Sequence, residues 1–221
     1  LAVVQHIRRV LDLDADTDAI AQHLSSNAVL AGLTREGLRL PGMWSPFEAG
    51  ARAILGQQVS VKAAHNLVTR LVVELGVALP AAESNTGEQV PTVLFPEPAA
   101  VARSKLQCLA MPDKRRQALR LLARYLIEDE KRPLAASQNI FDNWLSIPGV
   151  GSWTVQYAAF RMGDPDIFLA GDLGVKNALK KLQAGEPNIK NSNSQIQLKS
   201  SDVSPWGSYA TLLLWESLAD G

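Results

Sequence analysis

The 221-residue sequence predicts an all-α fold, and three observations carry that expectation. Nearly every periodic segment repeats its apolar residues at three- and four-residue spacing, the period of a helix rather than of a strand. Capping signatures stand in front of several of these segments, Ser45-Pro46 and Ser60 among them. A composition of 47% hydrophobic and 20% charged residues is that of a soluble globular chain able to bury a real core.

Residues 2–11 and 17–24 carry the first two helical patterns. "WSPFEAGARAILG" then opens a third, with Ser45 as cap, Pro46 in the first turn, Glu48 at the reciprocal capping-box position and Gly56 as the stop. The short connection "QQVS" leads to Ser60, which caps "VKAAHNLVTRLVVEL". Residues 78–98, rich in Pro, Ala, Glu, Ser and Gly, predict a mobile surface loop. Helices resume at 98–108, from Asp113 to Lys131, at 137–146 and at 152–162. An extended stretch is expected at 166–169, and Asp172 precedes the helical "LGVKNALKKL". Residues 184–203 are polar and predict a second mobile loop, after which Ser204-Pro205 starts a last helix.

The formal net charge is zero, which weighs against a nucleic-acid binder held by bulk charge. Locally the balance differs. From Arg103 to Arg124 there are seven Lys/Arg and one acidic residue, Asp113, a run whose plainest reading is a solvated helix face. The single cysteine, Cys108, excludes a disulfide framework, a four-cysteine zinc site and a cysteine-ligated iron–sulfur cluster. It sits in an apolar helical context and reads as packed. His6, His23 and His65 are too scattered for a metal site. No apolar run approaches a membrane span and no signal peptide opens the chain, so the expected setting is intracellular, the cytoplasm or nucleoid if the source is bacterial. Leu1 stands where a Met would be, which leaves open that part of the native N-terminus is missing.

The stretch 137–162 reads as helix, Pro-Gly-Val-Gly turn, helix. Such a turn presents consecutive backbone N–H groups at the positive end of the second helix, which suits a phosphate oxygen and positions a duplex without many lysines. Asp172 follows about twenty residues later as a helix cap. A carboxylate beside a pocket is what a reaction developing positive charge on a sugar requires. Trp153 and Tyr157 are four residues apart and share one helix face, where they serve as core or as a pocket wall.

"LSIPGVGSWTVQYAAFRMGDPDIFLAGDLGVKNAL" (145–179) resembles the helix–hairpin–helix DNA glycosylases, which end in a Gly/Pro loop and a catalytic Asp. Within them, "PFEAGARAILGQQVSVKAA" (46–64), "LFPEPAAVA", "LAMPDKRRQALRLLA" and "PWGSYATLLLW" (205–215) resemble the 3-methyladenine DNA glycosylase II family. The resemblance covers the chain from near residue 1 to near its end and is weakest at 78–92 and 184–203. It implies one glycosylase domain over 1–221, built as two closely packed helical subdomains with the active-site cleft between them. The N-terminal α/β domain of longer members is expected to be absent.

Position by position, the resemblance makes Asp172 the catalytic residue and Trp153, Tyr157 and Trp206 the walls of the base pocket. Gly149, Val150, Gly151 and Ser152 fall on the DNA-gripping hairpin, and Gln58, with Gln57 beside it, on the wedge that fills the gap left by a flipped nucleotide. The wedge is leucine in some members, and ordinary polar loop residues remain the alternative reading. Electron-rich rings attract a cationic methylated purine by about 0.5–2 kcal/mol per contact. Trp153 stands where strand-cutting relatives carry a lysine nucleophile, so the implied enzyme is monofunctional, excising 3-methyladenine and 7-methylguanine hydrolytically to leave an abasic site. Gly171 replaces an acidic residue that some relatives carry before the catalytic Asp. No cofactor is required, with a monovalent cation at the hairpin carbonyls left open. The implied partner is double-stranded DNA containing alkylated bases, met by a monomer, with no membrane. Two alternatives stay open: a non-catalytic helix–hairpin–helix DNA-binding module, and a glycosylase for oxidised or deaminated bases.

Overall fold

The computed structural model describes residues 1–80, 91–130, 141, 143–185 and 197–219. Parts of three expected segments lie outside them: the helix at 137–140, the middle of the 78–98 loop and most of the 184–203 loop. The chain divides into two compact units, one continuous (Ser45–Val155) and one discontinuous (Leu1–Trp44 with Gln156–Gly221).

In the continuous unit, α3 (Pro46–Gly56) starts as the sequence predicts, with Ser45 Oγ accepting the Glu48 amide at 3.1 Å and Pro46 in the first turn. Glu48 departs from the capping box: its Oε1 turns down the helix to Arg52 Nη2 at 2.8 Å. Gly56 is the last helical residue, but the left-handed reversal falls on Gln58, at φ +56°. Gly50 lets α3 settle on the fully buried Trp144, because a Cβ there would lie 2.6 Å from Leu122 and 2.7 Å from the indole. Ser60 caps α4 (Val61–Leu75) through the Ala63 amide, as expected.

The ends of the expected 78–98 loop pair as a short antiparallel ribbon, β1 (Val77–Ala78) against β2 (Val93–Leu94). α5 (Pro98–Arg103) stops well before residue 108, because Leu106 turns to φ +53° and Ser104 Oγ accepts its amide at 3.0 Å. α6 (Asp113–Asp129) packs on α5 and α3 through Ala118, Leu119, Leu122, Ala123 and Leu126. Residues Trp144–Ser146, expected to end an α-helix, form a 3-10 turn.

In the discontinuous unit, α1 (Ala2–Val10) buries no residue, and Arg9 ties it to the Met43 and Trp44 carbonyls at 3.1 Å each. α2 (Thr17–Ser25) is capped by Asp16 and contributes Ile20 and Leu24 to the core. α8 (Leu173–Gly185) packs on α9 (Gly207–Ala219). The last helix therefore begins at Gly207, not at Ser204-Pro205. Its first amide is held by Asp166 Oδ1 at 3.1 Å, while Asp166 Oδ2 accepts the Ser204 hydroxyl at 2.6 Å.

No strand forms at 166–169. The Ile167 and Leu169 amides donate instead to Ser208 Oγ at 3.0 Å and Thr211 Oγ1 at 3.1 Å, two fully buried hydroxyls one turn apart on α9. Leu198 and Val203 are buried and anchor 197–203 to the core, with the residues at 197 and 199–202 exposed. The boundary between the units falls inside α7 (Ser152–Arg161), between Val155 and Gln156.

Candidate active site

The hairpin lies in the continuous unit. Val150, itself buried, donates to the Ile147 carbonyl at 3.0 Å and closes the turn. Gly149 must be glycine twice over: φ is +89°, and a Cβ would come within 2.7 Å of Ala118 Cβ on α6. Gly151 answers to neither reason, since a Cβ there would meet nothing within 4 Å. Its carbonyl accepts the Val155 amide at 3.2 Å, which makes it the cap residue of α7 and places Ser152 in the first turn. First-turn amides have no partner within their own helix and sit at its positive end, so the hairpin offers an anion a backbone surface.

The two glutamines separate. Gln57 Nε2 donates to the Gly149 carbonyl at 3.1 Å and to the hydroxyl of buried Thr154 at 3.0 Å, so it braces the hairpin. Gln58 is exposed and held in the left-handed region. Trp153 is half-buried in the first turn of α7.

In the discontinuous unit, Asp172 caps α8, its Oδ1 accepting the Val175 amide at 3.1 Å. The same oxygen accepts the Trp215 indole N–H at 2.9 Å. Gly174 makes room for this pair: a Cβ there would stand 2.9 Å from Asp172 Oδ1 and 3.0 Å from the indole nitrogen. The Trp215 ring continues into an aromatic cluster, its centroid 5.2 Å from Phe160 and 6.3 Å from Tyr157. Arg161 lies over all three rings, at 5.4 Å from Tyr157, 5.1 Å from Phe160 and 5.8 Å from Trp215. It is anchored by a donation to the Pro41 carbonyl at 3.0 Å and another to the Tyr157 hydroxyl at 3.3 Å.

Trp206 stands apart from this cluster. Among the described residues its ring contact is with Tyr209, edge-on at 5.8 Å. Tyr209 donates to Asp12 Oδ2 at 2.7 Å, and burial followed by that bond raises its hydroxyl well above the ordinary tyrosine value. Of the residues expected in the base pocket, Tyr157 is thus joined to Asp172 through Trp215.

Trp215, Gly174 and Arg161 are functional candidates that the sequence reading passed over. The signal for Trp215 was available, because an indole N–H on an otherwise apolar helix needs a hydrogen-bond partner. Burial, and then the nearby Glu74 carboxylate, pushes the Cys108 thiol up and away from the reactive thiolate. Among the described residues no group of three or more His, Cys, Asp or Glu could hold a metal ion, and no helix is long and apolar enough to cross a membrane.

The family model for the AlkA N-terminal domain matches residues 1–45. Over 217 residues the chain is 36% identical to a probable bifunctional transcriptional activator/DNA repair enzyme AlkA of Mycobacterium tuberculosis, covering 96% of this chain and 42% of that protein. Over 192 residues it is 34% identical to DNA-3-methyladenine glycosylase 2 of Escherichia coli, covering 83% of this chain and 62% of that protein. The chain thus spans about half the length of these relatives. The structure of a 3-methyladenine DNA-glycosylase from Archaeoglobus fulgidus shares the fold at a TM-score of 0.68 and 21% identity, over 97% of this chain and 73% of that one. Over most of its own length the chain is thus similar in sequence to AlkA and to DNA-3-methyladenine glycosylase 2, and it shares the fold of solved DNA glycosylases.

Proposed function

We propose that this chain is the catalytic body of a monofunctional DNA glycosylase that takes alkylated purines out of duplex DNA and hydrolyses their N-glycosidic bonds. The observation that carries the reading is the doubly held Asp172, fixed by the Val175 amide and the Trp215 indole at the edge of an aromatic cluster. A carboxylate so fixed needs no reorganisation when positive charge develops on the deoxyribose, and preorganised charge is usually the largest single contribution to a rate.

The reaction follows from these parts. The hairpin amides hold a backbone phosphate and Gln58 fills the gap as the damaged nucleotide swings out, at a cost of a few kcal/mol that a damaged pair reduces. Aromatic side chains receive the flipped base, Tyr157 among them as the one joined to Asp172 through Trp215, and the positive charge of the base favours such faces. The glycosidic electron pair leaves with the base, Asp172 stabilises the resulting oxocarbenium ion, and water adds at the anomeric carbon. A cationic purine is a good leaving group and needs no acid to protonate it, so one carboxylate suffices. With tryptophan at position 153 no amine is placed to trap the sugar, and an abasic site is the product. The chemistry calls for no metal. The carbonyls of Ile147, Gly149 and Gly151 each accept one hydrogen bond and keep a lone pair that a monovalent cation at the hairpin would use. The protein acts as a monomer inside the cell, where its DNA lies.

The test is release of free base from duplexes carrying 3-methyladenine, 7-methylguanine or hypoxanthine. The two cationic bases are expected to be released and the neutral one released poorly. Asp172→Asn is expected to lower release at least 10²-fold, on the order of the loss of one preorganised catalytic group, while binding to abasic DNA stays near wild type. Full release by that variant would remove Asp172 from the mechanism, and duplex binding with no release of any base would leave a DNA-binding module.

A further inference from the structure

The basic run along α6 is left unused by the catalytic reading. A cavity of about 330 Å³ is lined by Lys105, Arg116, Arg120 and Arg124, with Asp113 as its one acidic residue. That carboxylate is already engaged by the Arg116 guanidinium. Arg116, Arg120 and Arg124 repeat at four-residue spacing, so like charges stack on one side of the helix, which is destabilising.

Among the described residues only Asp113 offsets that cost, and it does so at Arg116. Among the described residues no ion pair engages Lys105, Arg120 or Arg124. The Arg120 Nε–H is buried and, among the described residues, has no acceptor. A buried donor attached to a charged group is costly to leave unsatisfied. The chain as a whole has no net charge, so the excess here is not the background of a basic protein.

We propose that this cavity binds phosphate groups, with the guanidinium groups of Arg120 and Arg124 and the Lys105 ammonium as donors. Guanidinium forks match tetrahedral oxyanions two bonds at a time, and the lining lacks the aromatic faces that would grip a base or a ring. The volume admits more than one phosphate. Two sources present that chemistry: the backbone of the DNA already held by the hairpin of the same unit, and a soluble diphosphate. The first rests on the proposed function and the second does not.

Calorimetry with inorganic pyrophosphate, together with duplex affinity measured across salt concentrations, distinguishes them. The proteins compared are the wild type, Arg120→Gln, Arg124→Gln and, as a charge-matched control on the exposed face of α4, Arg70→Gln. Arg120→Gln is expected to weaken pyrophosphate binding at least tenfold and Arg70→Gln to leave it unchanged. If the phosphates are those of DNA, the salt dependence of duplex binding falls by about one unit of slope in each cavity variant, with base release at low salt retained. If they belong to a soluble ligand, only the pyrophosphate affinity changes. Arg120→Lys, which keeps the charge and loses the fork, is expected to fall between and covers the case of a poorly folded Arg120→Gln. Cavity variants that match Arg70→Gln in both measurements overturn the proposal. Failure of the wild type to bind duplex DNA would instead count against the proposed function and leave the pyrophosphate result standing.

Discussion

The hairpin before α7 and the surroundings of Asp172 are built in opposite ways. The hairpin works through backbone, and its decisive residues are those that remove a side chain: Gly149, which lets the turn lie on α6, and Gly151, which no packing requires. The Asp172 region works through side chains, and its decisive residues converge on one carboxylate oxygen. A backbone site is written in the sequence as a local string, whereas a side-chain site is assembled from distant positions, here 172, 174 and 215. The first is therefore sensitive to added atoms and the second to lost hydrogen bonds.

The largest effects are expected on the side-chain site. Gly174→Ala puts a methyl group against both partners of the Asp172–Trp215 bond, and a displacement near 1 Å at a catalytic group costs on the order of 10²-fold in rate. Trp215→Phe keeps most of the ring and removes only the N–H. A hydrogen bond to a charged group is worth about 1.5–3 kcal/mol, so kcat for base release should fall about tenfold or more with KM little changed. Single-turnover kinetics measures both. An unchanged kcat in Trp215→Phe would mean that the indole serves packing alone.

At the hairpin the comparison separates stability from binding. Gly149→Ala forces a residue with a Cβ to φ +89° and into Ala118, so it should unfold more easily by about 1–3 kcal/mol in a denaturant titration. Gly151→Ala meets no atom and no strained angle, and its stability should stay within about 0.5 kcal/mol. If duplex DNA approaches there, its affinity nevertheless drops about tenfold, whereas kcat at saturating DNA is kept. An affinity equal to wild type would place the backbone contact elsewhere.

What could be read from the sequence follows the same division. Ser45-Pro46 and Ser204-Pro205 are the same local signal, yet the first caps α3 and the second lies in a turn ahead of α9. The difference is Asp166, thirty-eight positions from Ser204, which takes both the Ser204 hydroxyl and the Gly207 amide. Helix periods, the caps at Ser45 and Ser60, the turn ahead of α7 and the Asp172 cap were legible because each is fixed within a few residues. The end of α5, the path of 164–169 along Ser208 and Thr211, and the Trp215 bond were not, because each depends on a partner found only on folding.

Gln57 and Gln58 bring the two kinds of construction side by side. Gln57 spans from the end of α3 to the hairpin, and Gln57→Ala withdraws a donor from the Gly149 carbonyl and from buried Thr154, a loss of about 1–2 kcal/mol in stability. Gln58 makes the opposite trade. A left-handed backbone at a residue with a Cβ costs roughly 1–2 kcal/mol, which Gln58→Gly relieves, while the greater freedom of the unfolded glycine chain takes back about 0.4–1 kcal/mol. That variant should be as stable as wild type or slightly more so. The retained strain then needs a reason, and the proposed insertion of the exposed amide into DNA would supply one. Gln58→Gly is accordingly expected to slow base release from a fully paired duplex more than from one with the lesion opposite an abasic site, where less stacking must be broken. Equal rates in the two duplexes, matching wild type, would return Gln58 to an ordinary turn.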